Sequence, residues 1–300
     1  MDVSIIIVNY NTIKFLINAI DSVFERTRDI EFEIIVVDNN SSDNSKNIVQ
    51  EKYGDNVTYL ALPENVGFGR ANNAAAKIAK GRNLFFLNPD TILMNNAIKI
   101  LSDYLDYHEQ VALCGGNLYD EYNNPIHSFR RTLSPIFGEL NRLFFRFPEK
   151  IIYGKNSIFN HTNNPLGVAY ITGADMMIRR NVFDITNGFD KEFFMYYEET
   201  ELAYRMHKLK YKIMNIPNAR IIHLEGKSIF SDLDRVKKEL VARRLFLFKT
   251  RNKTTRIVAD SIFFINALLR FIFFCIIKND EKMTLWLFIL KETFNKRNGF

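Results

Sequence analysis

Three groups of residues have the types and spacing that chemistry needs. Glu198, Glu199 and Glu201 follow the aromatic run Phe193-Phe194-Met195-Tyr196-Tyr197 and open a helical pattern through Leu202, Met206 and Leu209. Carboxylates so grouped can accept a proton or hold a hard cation; the same three also suit a helix N-terminus, where the backbone dipole favours anions. The apolar run Leu84-Phe85-Phe86 stops at Leu87-Asn88-Pro89-Asp90-Thr91. Proline removes a backbone donor and biases its predecessor away from helix, so this is a strand ending in an extended corner. Asp90 there admits two readings: a ligand for a metal or a phosphate beyond a strand end, or the cap of the helix whose pattern begins near Asn96. The third group is dispersed: Asp38 closes an apolar run and precedes Asn39-Asn40-Ser41-Ser42-Asp43, and His223 stands in Ile221-Ile222-His223-Leu224-Glu225-Gly226-Lys227-Ser228.

The elements that must position these groups alternate. Residues 3–8 form a continuous β-branched run, residues 13–23 place Leu16, Ile20 and Val23 at helical spacing, and residues 32–37 repeat the strand pattern. Strand, helix, strand requires parallel pairing with a right-handed crossover. Residues 57–62 read as a third strand, 70–80 as an alanine-rich helix, 98–105 as a helix, 111–116 and 211–216 as further strands, and 117–129 as an irregular or hairpin section. The expected fold is therefore α/β with a mostly parallel sheet. Gly67 and Gly69 supply half of a dinucleotide fingerprint, but the full G-x-G-x-x-G is missing, which excludes the dinucleotide-binding fold.

Composition narrows the partners. With 300 residues, 47% of them hydrophobic, the chain can bury one large core and carry an appendage. Cys114 and Cys275 have no metal-site or disulfide spacing, which points to a reducing compartment and two packing thiols. The opening Met1-Asp2-Val3-Ser4 lacks a basic leader and runs into a first core strand, so the expected location is cytoplasmic. A net charge of +6 favours anionic partners, but no basic aromatic repeat or reading module marks a nucleic-acid binder. Residues 137–146 are basic and aromatic and read as an acceptor-side lid, a helix resting on membrane, or a helix packed on the domain. Residues 257–277 approach the length of a bilayer span, yet Asp260, Asn266 and Arg270 interrupt them. That favours a helix lying in the membrane interface, or a helical hairpin, over a soluble subdomain, a dimer contact or a true span.

Taken together, Ser4 to Asn11, Val36-Val37-Asp38-Asn39 with Ser41-Ser42-Asp43, Asn65-Val66-Gly67-Phe68 with Ala71-Asn72-Asn73, and Leu87-Asn88-Pro89-Asp90-Thr91 resemble the inverting nucleotide-sugar glycosyltransferases of family 2, closest to the bacterial rhamnosyltransferase-like branch. The resemblance continues through Ile171-Thr172-Gly173-Ala174-Asp175, through Glu198-Glu199-x-Glu201, where the family carries Glu-Asp-x-Asp, and through the His-x-x-Gly-x-Ser pattern from His223. The resemblance covers roughly residues 3 to 228 and implies a nucleotide-diphosphosugar (GT-A) catalytic domain, taken as residues 1–235, while 236–300 read by their own composition as a helical, basic-aromatic region. For the donor it implies Asp38 beside a pyrimidine base, Tyr10 and Asn11 around the nucleoside, and Asn65, Gly67, Asn88 and Asp90 lining the nucleotide-sugar pocket. Gly173 would leave room for the sugar and Asp175 would bind its hydroxyls. Asp90 and His223 would hold Mg²⁺ or Mn²⁺, and Glu199, with Glu198 as the other candidate, would be the base. The implied activity is transfer of a sugar, rhamnose being the family-level suggestion, from a dTDP- or UDP-sugar to a saccharide or lipid-linked acceptor at the inner face of the plasma membrane. Asn88 in place of a first motif carboxylate, and Glu for Asp at 199 and 201, motivate the alternative of an inactive nucleotide-sugar-binding scaffold.

Overall fold

Every residue of β1 (Val3–Asn9) is buried, and its side chains alternate between two cores, Ile5 and Ile7 on one face and Ile6 and Val8 on the other. A strand covered on both faces must lie in the middle of a sheet. In the computed structural model, which describes residues 1–224 and 232–293, the chain continues as α1 (Ile13–Arg26), β2 (Phe32–Asp38), α2 (Ser45–Tyr53), β3 (Val57–Ala61), α3 (Phe68–Ala76), β4 (Asn83–Leu87), β5 (Thr91–Leu93), α4 (Ala97–Tyr107) and β6 (Val111–Tyr119). Then follow β7 (Phe129–Arg130), α5 (Pro135–Leu143), α6 (Phe147–Tyr153), β8 (Leu166–Gly167), β9 (Tyr170–Ile171), β10 (Asp175–Arg179), α7 (Arg180–Ile185), α8 (Glu198–Lys208) and β11 (Lys212–His223). The last helices are α9 (Asp232–Thr250), α10 (Lys253–Ile276) and α11 (Asp280–Thr293).

Two compact units result. Unit 1 comprises Met1–Arg131, Lys155–Phe194 and Glu198–Ser228; unit 2 comprises Thr132–Gly154, Met195–Tyr197 and Ile229–Phe300. Unit 1 holds the sheet, in the order β3-β2-β1-β4-β10-β6-β11-β5, with β8 on β11. The β3-β2-β1-β4 ladders and the β6–β11 ladder are parallel, and β10 is inserted antiparallel between β4 and β6. Leu16, Ile20, Leu101 and Leu105 of α1 and α4 fill one face; Ala71, Ala75, Val182, Leu202 and Met206 of α3, α7 and α8 fill the other. Unit 2 is helical, with Leu240, Phe263, Ala267 and Ile289 at its centre.

The parallel α/β expectation holds, with differences in detail. The alanine-rich helix begins earlier, at Phe68, because Gly67 supplies the turn before it. The expected short strand at 211–216 runs on to His223 as β11, its register shifting between Asn215 and Arg220 around Pro217, where proline has no N–H for a ladder. The hairpin reading of 117–129 matches the Tyr119–Pro125 bridge. Gly226 and Ser228 of the His-x-x-Gly-x-Ser pattern lie outside the described residues. Both cysteines are free, and burial pushes the Cys114 thiol well up, as expected of a packing residue.

Arg180 closes the end of α3. Its Nε donates to Gly81 O at 2.8 Å, Nη2 to Ala79 O at 2.8 Å and Nη1 to Ala76 O at 3.2 Å. These are carbonyls at and just beyond a helix C-terminus, where a cation is doubly favoured. Arg180→Ala is expected to lower stability by about 2 kcal/mol, and Arg180→Lys to recover only part, since one ammonium cannot span three carbonyls. Urea unfolding midpoints of the three proteins check this; coincident midpoints would show that water replaces the guanidinium without loss.

Candidate functional site

The carboxyl ends of the parallel strands carry the polar residues, as the fold requires of a ligand-binding edge. Asn9 ends β1, and its Nδ2 lies 3.1 Å from Asp38 Oδ1, 3.0 Å from Ser41 Oγ and 2.9 Å from Ser45 Oγ, while its Oδ1 accepts from the Thr12 hydroxyl at 2.8 Å. Asn11, at φ 55°, accepts at Oδ1 from the amides of Ser42 (2.7 Å) and Asp43 (3.3 Å). Asp38 accepts in turn from Ser41 N at 3.3 Å. The turn at Tyr10-Asn11 and the loop after β2 are thereby stitched together. The loop after β3 joins them through Asn39, whose Nδ2 donates to Asn65 Oδ1 at 2.9 Å and whose Oδ1 accepts from Val66 N at 2.9 Å. Asn65 Oδ1 also accepts from Gly67 N at 3.0 Å.

Gly67 has φ 85°, and a Cβ there would collide with the carbonyl oxygen of Phe194. That oxygen accepts from Phe68 N at 3.0 Å. Asn73 grips Phe189 twice, donating to its carbonyl at 2.7 Å and accepting from its amide at 2.9 Å. The first turn of α3 is thus fastened to the segment that leads into α8. An added Cβ at Gly69 would sit 3.7 Å from Glu198 Cβ, so the head of α8 lies beside the loop after β3.

At the corner, Asn88 N donates to Ala174 O at 2.9 Å, and the Thr91 hydroxyl donates to Asn88 O at 2.7 Å. Asp90 does not cap a helix: α4 starts at Ala97, and β5 intervenes. Antiparallel pairing of Thr91 with His223 carries the imidazole to the corner, where His223 Nε2 lies 3.3 Å from Asp90 Oδ1. Both side chains retain some exposure. Two ligands of one small cation in adjacent coordination positions stand about 3 Å apart at the usual bond lengths, so a carboxylate oxygen and an imidazole at this spacing fit a divalent ion. Among the described residues no group of three His, Cys, Asp or Glu converges; an ion here would complete its shell with water and a ligand's phosphates.

The acidic triplet divides. Glu201 forms a bidentate pair with Arg205 (2.7 and 2.9 Å), and Arg205 also donates to the carbonyls of Thr186 and Gly188, so this carboxylate braces α8 against the loop after α7. Glu198 is buried, and its Oε2 has no hydrogen-bond partner. Burial, reinforced by the charge of Glu199, pushes its carboxyl up to about 8. Glu199 is half-buried, accepts from the Thr200 hydroxyl at 3.0 Å, and is also raised, chiefly by burial. Of the remaining expected residues, Gly173 faces open space, whereas Asp175 is fully buried in β10, takes the Gly116 amide at 2.6 Å and is held well above the carboxylate range by burial. The structure therefore turns Asp175 into the sheet rather than toward an open pocket. Asn9 and Asn39 received no role from sequence; their signal was a carboxamide ending an apolar strand or following one.

The family model described as Glycosyl transferase family 2 matches residues 4–183. The chain belongs to that family. The matched stretch contains Asp38, Asn65 and Asp90 but ends before Glu198, Glu199 and His223. Among curated proteins, the chain is 27% identical over 233 residues to the O-antigen biosynthesis protein RfbC of Myxococcus xanthus, with 77% of this chain and 18% of that protein covered. It is 27% identical over 215 residues to the rhamnosyltransferase WbbL of Escherichia coli K12, covering 68% and 78%. The chain thus spans under a fifth of RfbC but most of WbbL. GalNAc-T7, crystallised with UDP, GalNAc and Mn²⁺, superposes with a TM-score of 0.60 at 16% identity over 82% of this chain and 47% of its own. The family 2 chain accordingly has an α/β, GT-A-like nucleotide-sugar transferase fold with a helical C-terminal extension, and its family supports a general sugar-transfer role.

The raised Glu198 carboxyl has a consequence for stability. Between its unfolded value of 4.5 and about 8, the native state keeps a proton that the unfolded chain has shed, so stability falls as pH rises through that window. Glu198→Gln lacks this liability. Its stability relative to wild type is expected to improve with pH across the window, by up to about 1 kcal/mol per unit, and to level off above it. Thermal unfolding of both proteins at several pH values tests this; a pH-independent difference would place the Glu198 carboxyl in the ordinary range.

Proposed function

We propose that this family 2 chain transfers a sugar from a dTDP- or UDP-sugar to a saccharide acceptor, with inversion, in the assembly of a cell-surface polysaccharide. The observation that carries the reading is the fastening of the α8 head to the loop after β3: Phe194 O holds Phe68 N, and Glu198 packs beside Gly69. A candidate base is thereby locked to the loops proposed to grip the nucleotide. The rhamnosyltransferase WbbL supports rhamnose as the sugar, and a lipid-linked saccharide at the cytoplasmic membrane surface is the proposed acceptor.

In this reading Asp38 accepts from the imide N–H of a pyrimidine, with the Tyr10-Asn11 turn, Asn65 and Gly67 around the nucleoside and diphosphate, and Asn88 and Gly173 on the sugar side. Asp90 and His223 would hold Mg²⁺ or Mn²⁺, which supplies charge neutralisation for the departing diphosphate. The acceptor hydroxyl oxygen forms a bond to the anomeric carbon as the bond from that carbon to the diphosphate oxygen breaks, and the hydroxyl proton passes to Glu199. Glu198 is the poorer base: buried and raised to about 8, it keeps its proton at neutral pH and so spares Glu199 a second adjacent charge. Two neighbouring carboxyls that shed protons in sequence let one ionise first, and the half-exposed Glu199 is the one an acceptor can reach.

Glu199→Gln is expected to cut acceptor-dependent turnover by roughly 10²- to 10⁴-fold with nucleotide affinity retained, and Asp90→Asn or a chelator to lower turnover of the wild type. Transfer from dTDP-rhamnose and UDP-hexoses to a lipid-linked disaccharide, followed by mass-resolved product analysis, measures these. Nucleotide-sugar binding with no product from any donor would favour the inactive scaffold. Loss of turnover only in Glu198→Gln would move the base to that residue.

A further inference from the structure

The three polar residues that interrupt α10 all turn toward unit 2. Asp260 accepts from Arg243 of α9 at 2.7 Å, and buried Asn266 accepts from Arg270 Nε at 3.1 Å. The Arg270 guanidinium lies over the rings of Phe145 and Trp286, 5.5 and 5.2 Å from their centroids. The other side of α10 is apolar and uncovered. Val258, Ile265, Leu269, Ile272 and Ile276 recur at helical spacing and are all exposed. An 18-residue stretch of the helix has a mean hydropathy of 2.0, unusual for a helix with so little of its surface covered.

A second apolar feature lies beside α10. Between α5 and α6 the chain turns through positive φ at Phe145 (49°) and Arg146 (64°). Phe144, Phe145 and Phe147 at this corner are 54%, 79% and 65% exposed, and α6 continues the surface with Ile151 and Ile152. Arg270 ties this corner to α10, since its guanidinium lies over one face of Phe145 while its Nη2 reaches Arg142 O at 3.5 Å. Charge is concentrated in the same unit: in unit 2 lysine and arginine outnumber acids two to one, whereas acids prevail in unit 1. Exposed Lys253 and Lys278 stand at the two ends of α10, and exposed Lys150 lies in α6.

We propose that the α5–α6 corner and the outer stripe of α10 form one membrane-binding face that lies in the interface of an anionic bilayer. The phenylalanine rings and aliphatic stripe enter the acyl boundary, and the flanking lysines meet lipid phosphates. A spanning α10 would have to surrender the Asp260–Arg243 pair and its packing on α5 and α11, exposing a carboxylate to hydrocarbon. A second copy of the chain would bring like charges together around the stripe. An anionic surface satisfies both the apolar area and the charge, and this assignment stands independently of the sugar-transfer reading.

The test is co-sedimentation of the full chain with vesicles of phosphatidylcholine alone or with part of it replaced by phosphatidylglycerol. Wild type is expected to bind the anionic vesicles at least tenfold more tightly. Phe145→Ser/Phe147→Ser and Ile272→Ser/Ile276→Ser are each expected to weaken that binding about tenfold, with nucleotide affinity unchanged as the control for folding. Should a double variant unfold, Phe145→Trp in a Trp286→Phe background reports directly, through quenching of its emission by bromine-labelled acyl chains. Wild-type binding by the corner variant, an unquenched Trp at position 145, or equal binding to neutral and anionic vesicles would overturn the proposal. So would a failure to bind any vesicle accompanied by dimerisation that the same substitutions abolish.

Discussion

One buried carboxamide holds the binding edge together. Asn9 stands where β1 leaves the sheet, and three oxygens from the loop after β2 and the start of α2 gather around its single Nδ2. Parallel strands end at one edge, and the loops that follow have no ladder to hold them. A polar side chain fixed by a strand buried on both faces supplies that hold with the sheet's own rigidity. The Asn11, Asn39 and Asn65 bonds repeat the device outward from strand to strand, using amides that donate and accept at once. The edge is therefore ordered largely by neutral carboxamides and hydroxyls, with the Asp38 carboxylate held among them by Asn9 Nδ2 and Ser41 N.

The scaffold was legible because buried parallel strands leave uninterrupted apolar runs, and residues 3–8, 32–37 and 84–87 are such runs. The corner at Asn88-Pro89-Asp90 was legible for a local reason, proline's restriction of its neighbours. Less legible were features that depend on distant pairing. Nothing near Thr91 announces β5; three residues become a strand only because β11 lies alongside them, and the same pairing carries His223 to Asp90. Arg180 likewise has no local signal for its role, since sequence cannot show that carbonyls at the end of α3 await it. Asp175 sat among small residues suggestive of a pocket, but strand alternation turned it inward onto Gly116.

The acidic triplet shows how one motif serves two ends. All three glutamates suit the first turn of α8, yet only Glu201 is neutralised, by an arginine one turn on. Glu198 and Glu199 are left in partly dry surroundings that raise both carboxyls. Relative to the Asp of the family pattern, glutamate adds a methylene, and the Thr200 hydroxyl steadies the longer arm of Glu199. The departure from the motif thus retains the charge and changes the reach.

The contact between Gly67 and the Phe194 carbonyl bears on how such a chain can diversify. Residues 65–69 and 189–194 are far apart in sequence but meet where no side-chain atom can intervene, so neither segment can be altered in backbone path alone. Grafting the loop after β3 from a related chain onto this scaffold would displace the segment that leads into α8, and grafting that segment would displace the loop. The two behave as one inheritable module. Chimeras that exchange both segments together should fold more often than those that exchange either, and natural changes in one segment should arrive with matching changes in the other.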